Sequence, residues 1–158
     1  MPPDNGALEA RLRRLEDAEE IRQLLLENAR CLDEADHAGY VELFTEDGEL
    51  IAQLGQAKGR EAIRALLDRR LGPDAPPRKK AFHLVGNPVI QVDGDRATST
   101  VIWAYATHDD EGFPLILQLG HYRDELVRDA ERWRFRRRDI SRDLGFSPLD
   151  VPTVPGRG

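Results

Sequence analysis

Two residues of this chain have the types that proton-transfer chemistry needs, an aspartate and a histidine that lie far apart in the sequence. Asp33 follows the last apolar position of a long helical pattern, and His83 stands in a strand-like run. A carboxylate that orients an imidazole helps the ring to accept a proton and stabilises the cation that forms. If the fold brings the two together, the pair predicts an enzyme.

The elements that must position Asp33 are helical. Apolar residues recur at three- and four-residue spacing, which predicts one long amphipathic helix whose buried face Asp33 continues. They are Leu8, Leu12, Leu15, Ala18, Ile21, Leu25, Ala29 and Leu32. We expect Asp36 to be the N-cap of a short second helix that extends through Phe44. The apolar spacing in residues 59–67 predicts a third helix. On the residues alone, the favoured interpretation of Asp33 is an ordinary polar residue that closes the first helix.

The second half of the chain has the alternation and the turn residues of strands. After a short strand at residues 48–54, we expect long strands at residues 80–92, 96–108, 115–128 and 133–143. Residues 93–94 and 109–112 have the chemistry of hairpin turns, and Gly86-Asn87-Pro88 predicts a bulge. Helices followed by a strand meander predict an α+β domain with helices packed on one face of a strongly curved antiparallel sheet.

Length and cysteine content bound the organisation. The 158 residues fit one domain, which we assign to residues 1–144, with a Pro-rich extended tail at residues 145–158. The single cysteine, Cys31, cannot form an internal disulfide and lies in an apolar helical segment. We therefore expect a buried structural role for it and a cytoplasmic protein.

The charge pattern argues against two classes of partner. A net charge of −6 and the lack of a long apolar run predict that the chain binds neither nucleic acid nor membrane. A basic run, Arg134 with residues 136–138, alternates with aromatic residues in a predicted strand and has no nucleic-acid motif beside it. The sequence has no zinc-type Cys/His spacing and no phosphate-binding glycine loop, so we expect no metal and no organic cofactor.

A series of short motifs resembles the SnoaL-like branch of the nuclear transport factor 2 superfamily over residues 10–143. In chain order they are Cys31-Leu32-Asp33-Glu34-Ala35-Asp36, Leu43-Phe44-Thr45-Glu46-Asp47-Gly48, Gly59-Arg60-Glu61-Ala62-Ile63, Phe82-His83-Leu84, Gly120-His121-Tyr122 and Trp133-Arg134-Phe135. The resemblance implies a cone-shaped, cystatin-like fold, in which a bent antiparallel sheet wraps three N-terminal helices around a mostly apolar pocket.

The resemblance also implies roles for single residues. In two family members, scytalone dehydratase and hexachlorocyclohexane dehydrochlorinase, an aspartate that ends the first helix hydrogen-bonds a histidine on the first long strand. Asp33 and His83 match these positions. The strand that carries Tyr122 is expected to line the pocket. We expect Trp103, Tyr105 and Tyr122 to contact substrate, and His121 is the rival if the strand faces the other way.

Other residues depart from those two enzymes. The two tyrosines that hold the dehydratase water fall at Leu32 and Ala52, and the helix lysine of the dehydrochlorinase falls at Asn28. The strand arginine of the dehydrochlorinase could correspond to Arg136, Arg138 or Arg142. The resemblance therefore implies the site without settling the reaction.

The sequence favours a cofactor-independent lyase or isomerase that acts on a hydrophobic, cyclic small molecule. His83 is expected to abstract a proton in a dehydration, another β-elimination or an isomerisation, and Asp33 to fix its tautomer. Two alternatives stay open: a non-catalytic small-molecule binder, and a scaffolding β subunit of a ring-hydroxylating dioxygenase. Related proteins form trimers or dimers through the outside of the sheet, which implies a homo-oligomer. We expect His37 and His108 to be exposed to solvent.

Overall fold

The computed structural model describes residues 5–72 and 80–145. Within these residues there are three helices: α1 (Asn5–Asp33), α2 (His37–Glu42) and α3 (Arg60–Leu71). The strands are β1 (Phe44–Ala52), β2 (Gly55–Lys58), β3 (Phe82–Asp93), β4 (Arg96–His108), β5 (Pro114–Asp129) and β6 (Arg132–Gly145). The expected α+β architecture is confirmed. The tail at residues 146–158 and the proline-rich segment at residues 73–79 lie outside the described residues, so the assignment of one domain with a tail stays a prediction.

The strands form one curved, open sheet in the order β2-β1-β6-β5-β4-β3. The four long strands make the expected antiparallel meander, and the register between β3 and β4 shifts between Gly86 and Val89, where the sequence predicts a bulge. Two features differ from the prediction. The strand β2 was not predicted, and β1 pairs with β6 in parallel. Since β1 precedes α3 and the meander, only tertiary packing brings β1 beside β6.

The core lies between the helices and the inner face of the sheet. From the helices it takes Ile21 and Leu25 of α1 with Ile63 of α3, none more than 2% exposed. The sheet contributes the alternate residues that its strands turn inward: Leu50, Ala97, Val101, Trp103, Tyr122, Leu126, Trp133 and Phe135. Burial of this apolar surface stabilises the domain and fixes which face of each strand looks inward. No helix among the described residues is long and apolar enough to cross a membrane.

The long helix α1 is anchored along only part of its length. All residues from 5 to 16 are exposed, and Leu8, Leu12 and Leu15 have exposed fractions of 57%, 54% and 69%. The prediction that these leucines belong to the buried face was wrong. The buried face begins at Asp17, whose carboxylate accepts hydrogen bonds from Arg128 and from Trp133 Nε1. The helix therefore runs past the sheet that could have covered its first turns.

Polar contacts set the turn from α1 into α2. The Asp36 carboxylate accepts a hydrogen bond from the Gly39 backbone N–H at 2.8 Å, which confirms the predicted N-cap. Arg30 reaches back to the same carboxylate, with its Nη2 at 2.8 Å from Asp36 Oδ2. This turn ends α1 directly after Asp33 and so determines where the Asp33 side chain stands.

A buried histidine links α2 to α3. His37 Nδ1 lies 2.7 Å from Asp68 Oδ1, and the His37 side chain is 3% exposed, so the prediction of an exposed His37 was wrong. Its partner belongs to another helix, which the sequence pattern does not reveal. The hydrogen bond from His37, together with Arg64, holds the pKa of Asp68 below its usual value.

We expect the free energy of unfolding of Asp68→Asn to depend less on pH in the acid range than that of the wild type. Because the folded pKa of Asp68 is lowered, the ionised carboxylate stabilises the fold above its unfolded pKa of about 3.9. That contribution disappears as the pH falls through the folded pKa. The variant should therefore be less stable than the wild type at pH 7, and the difference should shrink below about pH 4. Urea midpoints across this range test it, with the exposed turn variant Glu111→Gln as control, and a gap that widens with acid would contradict it.

Candidate active site

The end of α1 meets the edge strand β3 through Asp33 and His83. The Asp33 carboxylate accepts hydrogen bonds from the backbone N–H of His83, at 3.0 and 3.1 Å to its two oxygens, and contacts His83 Nδ1 at 2.6 Å. Since a carboxylate only accepts, Nδ1 is the ring nitrogen that carries the proton. In the neutral form of such a ring the lone pair is on the other nitrogen, Nε2, which is the arrangement that a general base requires.

Aromatic side chains of β4 surround the His83 ring. Tyr105 faces His83 across the β3–β4 pair, with ring centroids 5.1 Å apart, and Trp103 lies at 6.5 Å. The side chains of Asp33 and His83 are 23% and 20% exposed, so the pair lies at the border of the interior. Burial, followed by the charge of Asp33, raises the pKa of Tyr105. The phenol of Tyr105 therefore stays protonated and can donate a hydrogen bond at neutral pH.

Trp103 and Tyr122 form the centre of this inner face. Their rings stack at 5.7 Å with an angle of 11° between the planes, and both residues are nearly fully buried. Trp103 Nε1 donates to the backbone carbonyl of Ser141 at 3.1 Å. Gly120 lies opposite Trp103, and a Cβ there would stand 2.9 Å from Trp103 Nε1 and 1.9 Å from the Ser141 carbonyl oxygen. A glycine at position 120 is thus what allows the Trp103 ring to seat against Ser141.

An ion pair lies beyond the aromatic stack, away from His83. Arg138 Nε and Nη2 donate to the two oxygens of Asp124 at 2.7 and 2.8 Å, and Ser99 Oγ donates to Asp124 Oδ2 at 2.8 Å. The guanidinium of Arg138 lies over the Tyr122 ring at 4.2 Å. Burial opposes the charge of Arg138, but attraction to Asp124 outweighs it and raises the pKa of the guanidinium. Arg138 is therefore a permanent buried cation.

Two buried polar groups of the interior lack hydrogen-bond partners within the part of the chain that the structure describes. One is Arg138 Nη1, and the other is the side-chain amide of Asn28 on α1, which is fully buried. The amide stands near enough to the Tyr40 hydroxyl to moderate its pKa, which burial raises, yet it makes no hydrogen bond of normal geometry. Unsatisfied buried polar groups are costly, and a ligand or water that pairs with them is the usual reason for their retention.

The sequence analysis did not identify Asn28 or Arg138 as buried polar residues of the site, for a different reason in each case. Asn28 occupies a position that the helical spacing assigns to the buried apolar face, and the sequence analysis gave it no role of its own. A polar residue at such a position is the signal that could have identified it as a buried polar group. Arg138 was one of three arginines left open. Of these, Arg136 is exposed and binds Asp47 at 3.2 Å, whereas Arg138 is fully buried. A register shift in the β5–β6 pair between Glu125 and Leu126 changes which β6 residues face inward, and no sequence pattern showed it.

The other residues that the sequence analysis considered, His121, His108 and Cys31, lie away from the His83 ring. His121 lies on the opposite face of β5 from Tyr122 and contacts Asp143, with their side chains 36% and 42% exposed. His108 Nδ1 lies 2.7 Å from the backbone carbonyl of Asp109. Cys31 is buried, and burial raises the pKa of its thiol to about 12, so it is a poor nucleophile. Residues 5–72 and 80–145 contain no cluster of three or more His, Cys, Asp or Glu side chains arranged to hold a metal ion.

With this geometry described, the comparisons assign the chain to a family. The family model of the SnoaL-like domain matches residues 13–139. The chain belongs to the SnoaL-like family. This confirms the resemblance inferred from the motifs, including the nuclear transport factor 2-like fold. No curated protein sequence matches the chain.

Several solved structures share the fold of this chain. An NTF2-like protein with a cystatin-like fold from Novosphingobium aromaticivorans is 31% identical, with a TM-score of 0.80, and the match covers 95% of this chain and 96% of that one. ActVI-ORFA from Streptomyces coelicolor is 28% identical, with a TM-score of 0.70 and coverage of 82% and 97%. A proposed scytalone dehydratase from Novosphingobium aromaticivorans, at 23% identity, TM-score 0.66 and coverage of 83% and 87%, supports the fold alone.

We expect the Asp124–Arg138 pair to be strongly coupled. Asp124→Ala leaves the Arg138 cation buried without its partner and should lower the free energy of unfolding by about 3–5 kcal/mol. The double variant Asp124→Leu with Arg138→Met removes both charges and should be more stable than Asp124→Ala. Urea denaturation measures both. The exposed-pair variant Asp47→Ala serves as control and should change stability little. A double variant no more stable than Asp124→Ala would contradict the coupling.

Proposed function

We propose that this SnoaL-like protein is a cofactor-independent lyase or isomerase in which His83 removes a proton from a hydrophobic, cyclic small molecule. The observation that carries the proposal is the 2.6 Å contact between Asp33 and His83 Nδ1, on an imidazole ring that lies beside Trp103 and Tyr105. In this proposal Asp33 and His83 are the catalytic pair, and the aromatic side chains form the walls that hold the substrate.

The chemistry follows from the protonation states. Nε2 of His83 accepts the proton of an acidic C–H or O–H bond, and the ring becomes an imidazolium whose charge the Asp33 carboxylate stabilises. The electron pair left on the substrate then expels a leaving group, or it accepts the proton again at another carbon. A leaving hydroxyl takes its proton from the imidazolium and departs as water, which restores neutral His83. A base positioned in this way contributes about 10²- to 10⁴-fold in rate.

Substrate contacts are proposed from burial and polarity. We expect the substrate ring to pack beside Trp103 and Tyr105, whose rings lie next to that of His83. Tyr122 stacks on Trp103 and supports it from the core. Burial raises the pKa of the Tyr122 phenol, so this residue stays a neutral donor for an oxygen of the substrate. His121 faces the other side of β5, so in the function proposed here it does not contact the substrate.

The two alternatives differ in what they require of the site. A binder needs the aromatic walls but not an oriented histidine, and a scaffold subunit needs neither. The three hydrogen-bonding contacts between Asp33 and His83 favour the catalytic function over both. Homo-oligomer formation through the outside of the sheet also remains a proposal. The exposed apolar residues Phe82, Leu84 and Ile102, at 57%, 53% and 40% exposure, support it.

Deuterium uptake tests proton abstraction before the natural substrate is known. The protein is incubated in D₂O with a panel of cyclic ketones and β-hydroxy ketones, and exchange at carbon and product formation are followed by NMR. We expect the wild type to catalyse exchange or elimination for a subset of the panel. His83→Gln should lose about 10²- to 10⁴-fold of that rate, because glutamine preserves polarity but cannot act as a base. Asp33→Asn should fall in the same direction, since an amide does not stabilise the imidazolium.

The controls separate catalysis from binding. His108→Gln replaces another strand histidine, one bonded to a backbone carbonyl, and should keep the wild-type rate. Tryptophan fluorescence reports ligand binding, and we expect His83→Gln to bind the active compounds with an affinity close to that of the wild type. Binding by the wild type without exchange or product would support the non-catalytic binder instead. Full activity in His83→Gln would rule out the proposed base.

A further inference from the structure

The helix α1 carries a second apolar stripe, which faces away from the core. Leu8, Leu12, Leu15 and Leu26 are all more than half exposed. Together with Glu19 and Arg22 they follow the alternating four- and three-residue spacing of a coiled-coil seam. At 100° per residue, the centre of this stripe lies about 140° around α1 from Ile21 and about 100° from Leu25. The folded body of the domain therefore does not obstruct access to it.

The exposed turns of α1 need a partner for physical reasons. A helical segment of about twelve residues that packs little against the rest of a domain is marginal in water, and every residue from 5 to 16 is exposed. Three leucines in line on such a segment raise the cost, because they leave apolar surface in solvent. The second half of the stripe, from Glu19 to Leu26, lies on the anchored part of the helix and is equally uncovered. The surface to be covered is thus about 27 Å long.

We infer that α1 pairs with α1 of a second copy of this chain, in antiparallel orientation about a two-fold axis near Asp17. In this arrangement Leu8 packs against Leu26 of the second copy. By the same symmetry Leu12 faces Arg22 of that copy, and Leu15 faces its Glu19. The exposed half of each helix lies along the anchored half of the other, so every leucine of the stripe becomes covered. The two domain bodies lie on the outer sides of the helix pair and do not collide.

Charge complementarity selects the antiparallel orientation. Residues 5–16 carry three arginines and two glutamates, whereas residues 18–28 carry three glutamates and one arginine. Antiparallel pairing places the basic half of one helix against the acidic half of the other, and it also opposes the two helix dipoles. Parallel pairing would stack Glu19 on Glu19 and Arg22 on Arg22 within the seam. It would also set each leucine of the stripe against its own copy and allow a flanking contact between Arg11 and Glu16. The like charges within the seam and the two aligned helix dipoles oppose it.

Disulfide trapping tests the orientation directly. In the variant that combines Leu8→Cys with Leu26→Cys, mild oxidation should link two chains, because antiparallel pairing places position 8 beside position 26 of the second copy. The two positions are too far apart on one helix to link within a chain. Each single cysteine variant should stay unlinked, as should the wild type with its buried Cys31. A crosslink in Leu8→Cys alone would indicate parallel helices and overturn the proposal.

The assembly itself is measured on the unoxidised protein. Light scattering coupled to size-exclusion chromatography should give Leu12→Ser half the mass of the wild type. Its near-ultraviolet circular dichroism spectrum should be unchanged, because Trp103 and Trp133 are buried in the folded core, whereas Leu12 is 54% exposed. Leu84→Ser, which alters an exposed leucine on the outer face of the sheet, should still allow the Leu8→Cys with Leu26→Cys crosslink. If Leu12→Ser leaves the mass unchanged and no crosslink forms, something else covers the stripe, such as residues 146–158 of the same chain, and the proposal fails.

Discussion

The carboxylate of Asp33 is the point at which the helical and sheet parts of this protein are joined near the candidate site. It accepts hydrogen bonds from the backbone and ring of His83, a residue fifty positions away, and so holds the end of α1 against β3. Strand β3 is an edge strand with β4 as its one neighbour in the sheet. The pairing register of β3 with β4 determines the face on which His83 lies, but the contact with Asp33 determines the orientation of its ring. The same interaction that supports the edge of the sheet also leaves Nε2 available.

The inner face of the sheet combines groups of different chemistry in a fixed order along β4 and its neighbours. Histidine and tyrosine stand at one end, the stacked rings of Trp103 and Tyr122 in the middle, and the ion pair of Asp124 and Arg138 at the other end. Burying a charge is unfavourable unless it is paired, and here the carboxylate, the Ser99 hydroxyl and the faces of two aromatic rings compensate. An interior built for stability alone would have apolar side chains in these places. The retained polarity fits a site that binds an oxygen-bearing ligand.

Two of the three histidine–aspartate pairs among the described residues show why residue types do not suffice to identify a site. His83 with Asp33 and His121 with Asp143 have the same chemistry, and both form close contacts. The first lies beside the inner aromatic side chains, while the second lies on the opposite face of the sheet and is more exposed. Strand parity, set by burial of the core, is what separates them. An imidazole in water has no walls to hold a substrate against it, so we place the proposed chemistry at His83.

The sequence by itself determined the described elements other than β2, together with their order, because hydrophobic periodicity, the Asp36 cap and the bulge at residues 86–88 are local properties of the chain. It also singled out Asp33 and His83 through their resemblance to the family. Tertiary structure alone decided which groups meet: the register shift that turns Arg138 inward, the parallel contact of β1 with β6, and the burial of His37 against Asp68. It also decided that the first turns of α1 extend beyond the sheet. A periodic pattern reports that a helix has an apolar side, but only the packed neighbours determine whether anything covers it.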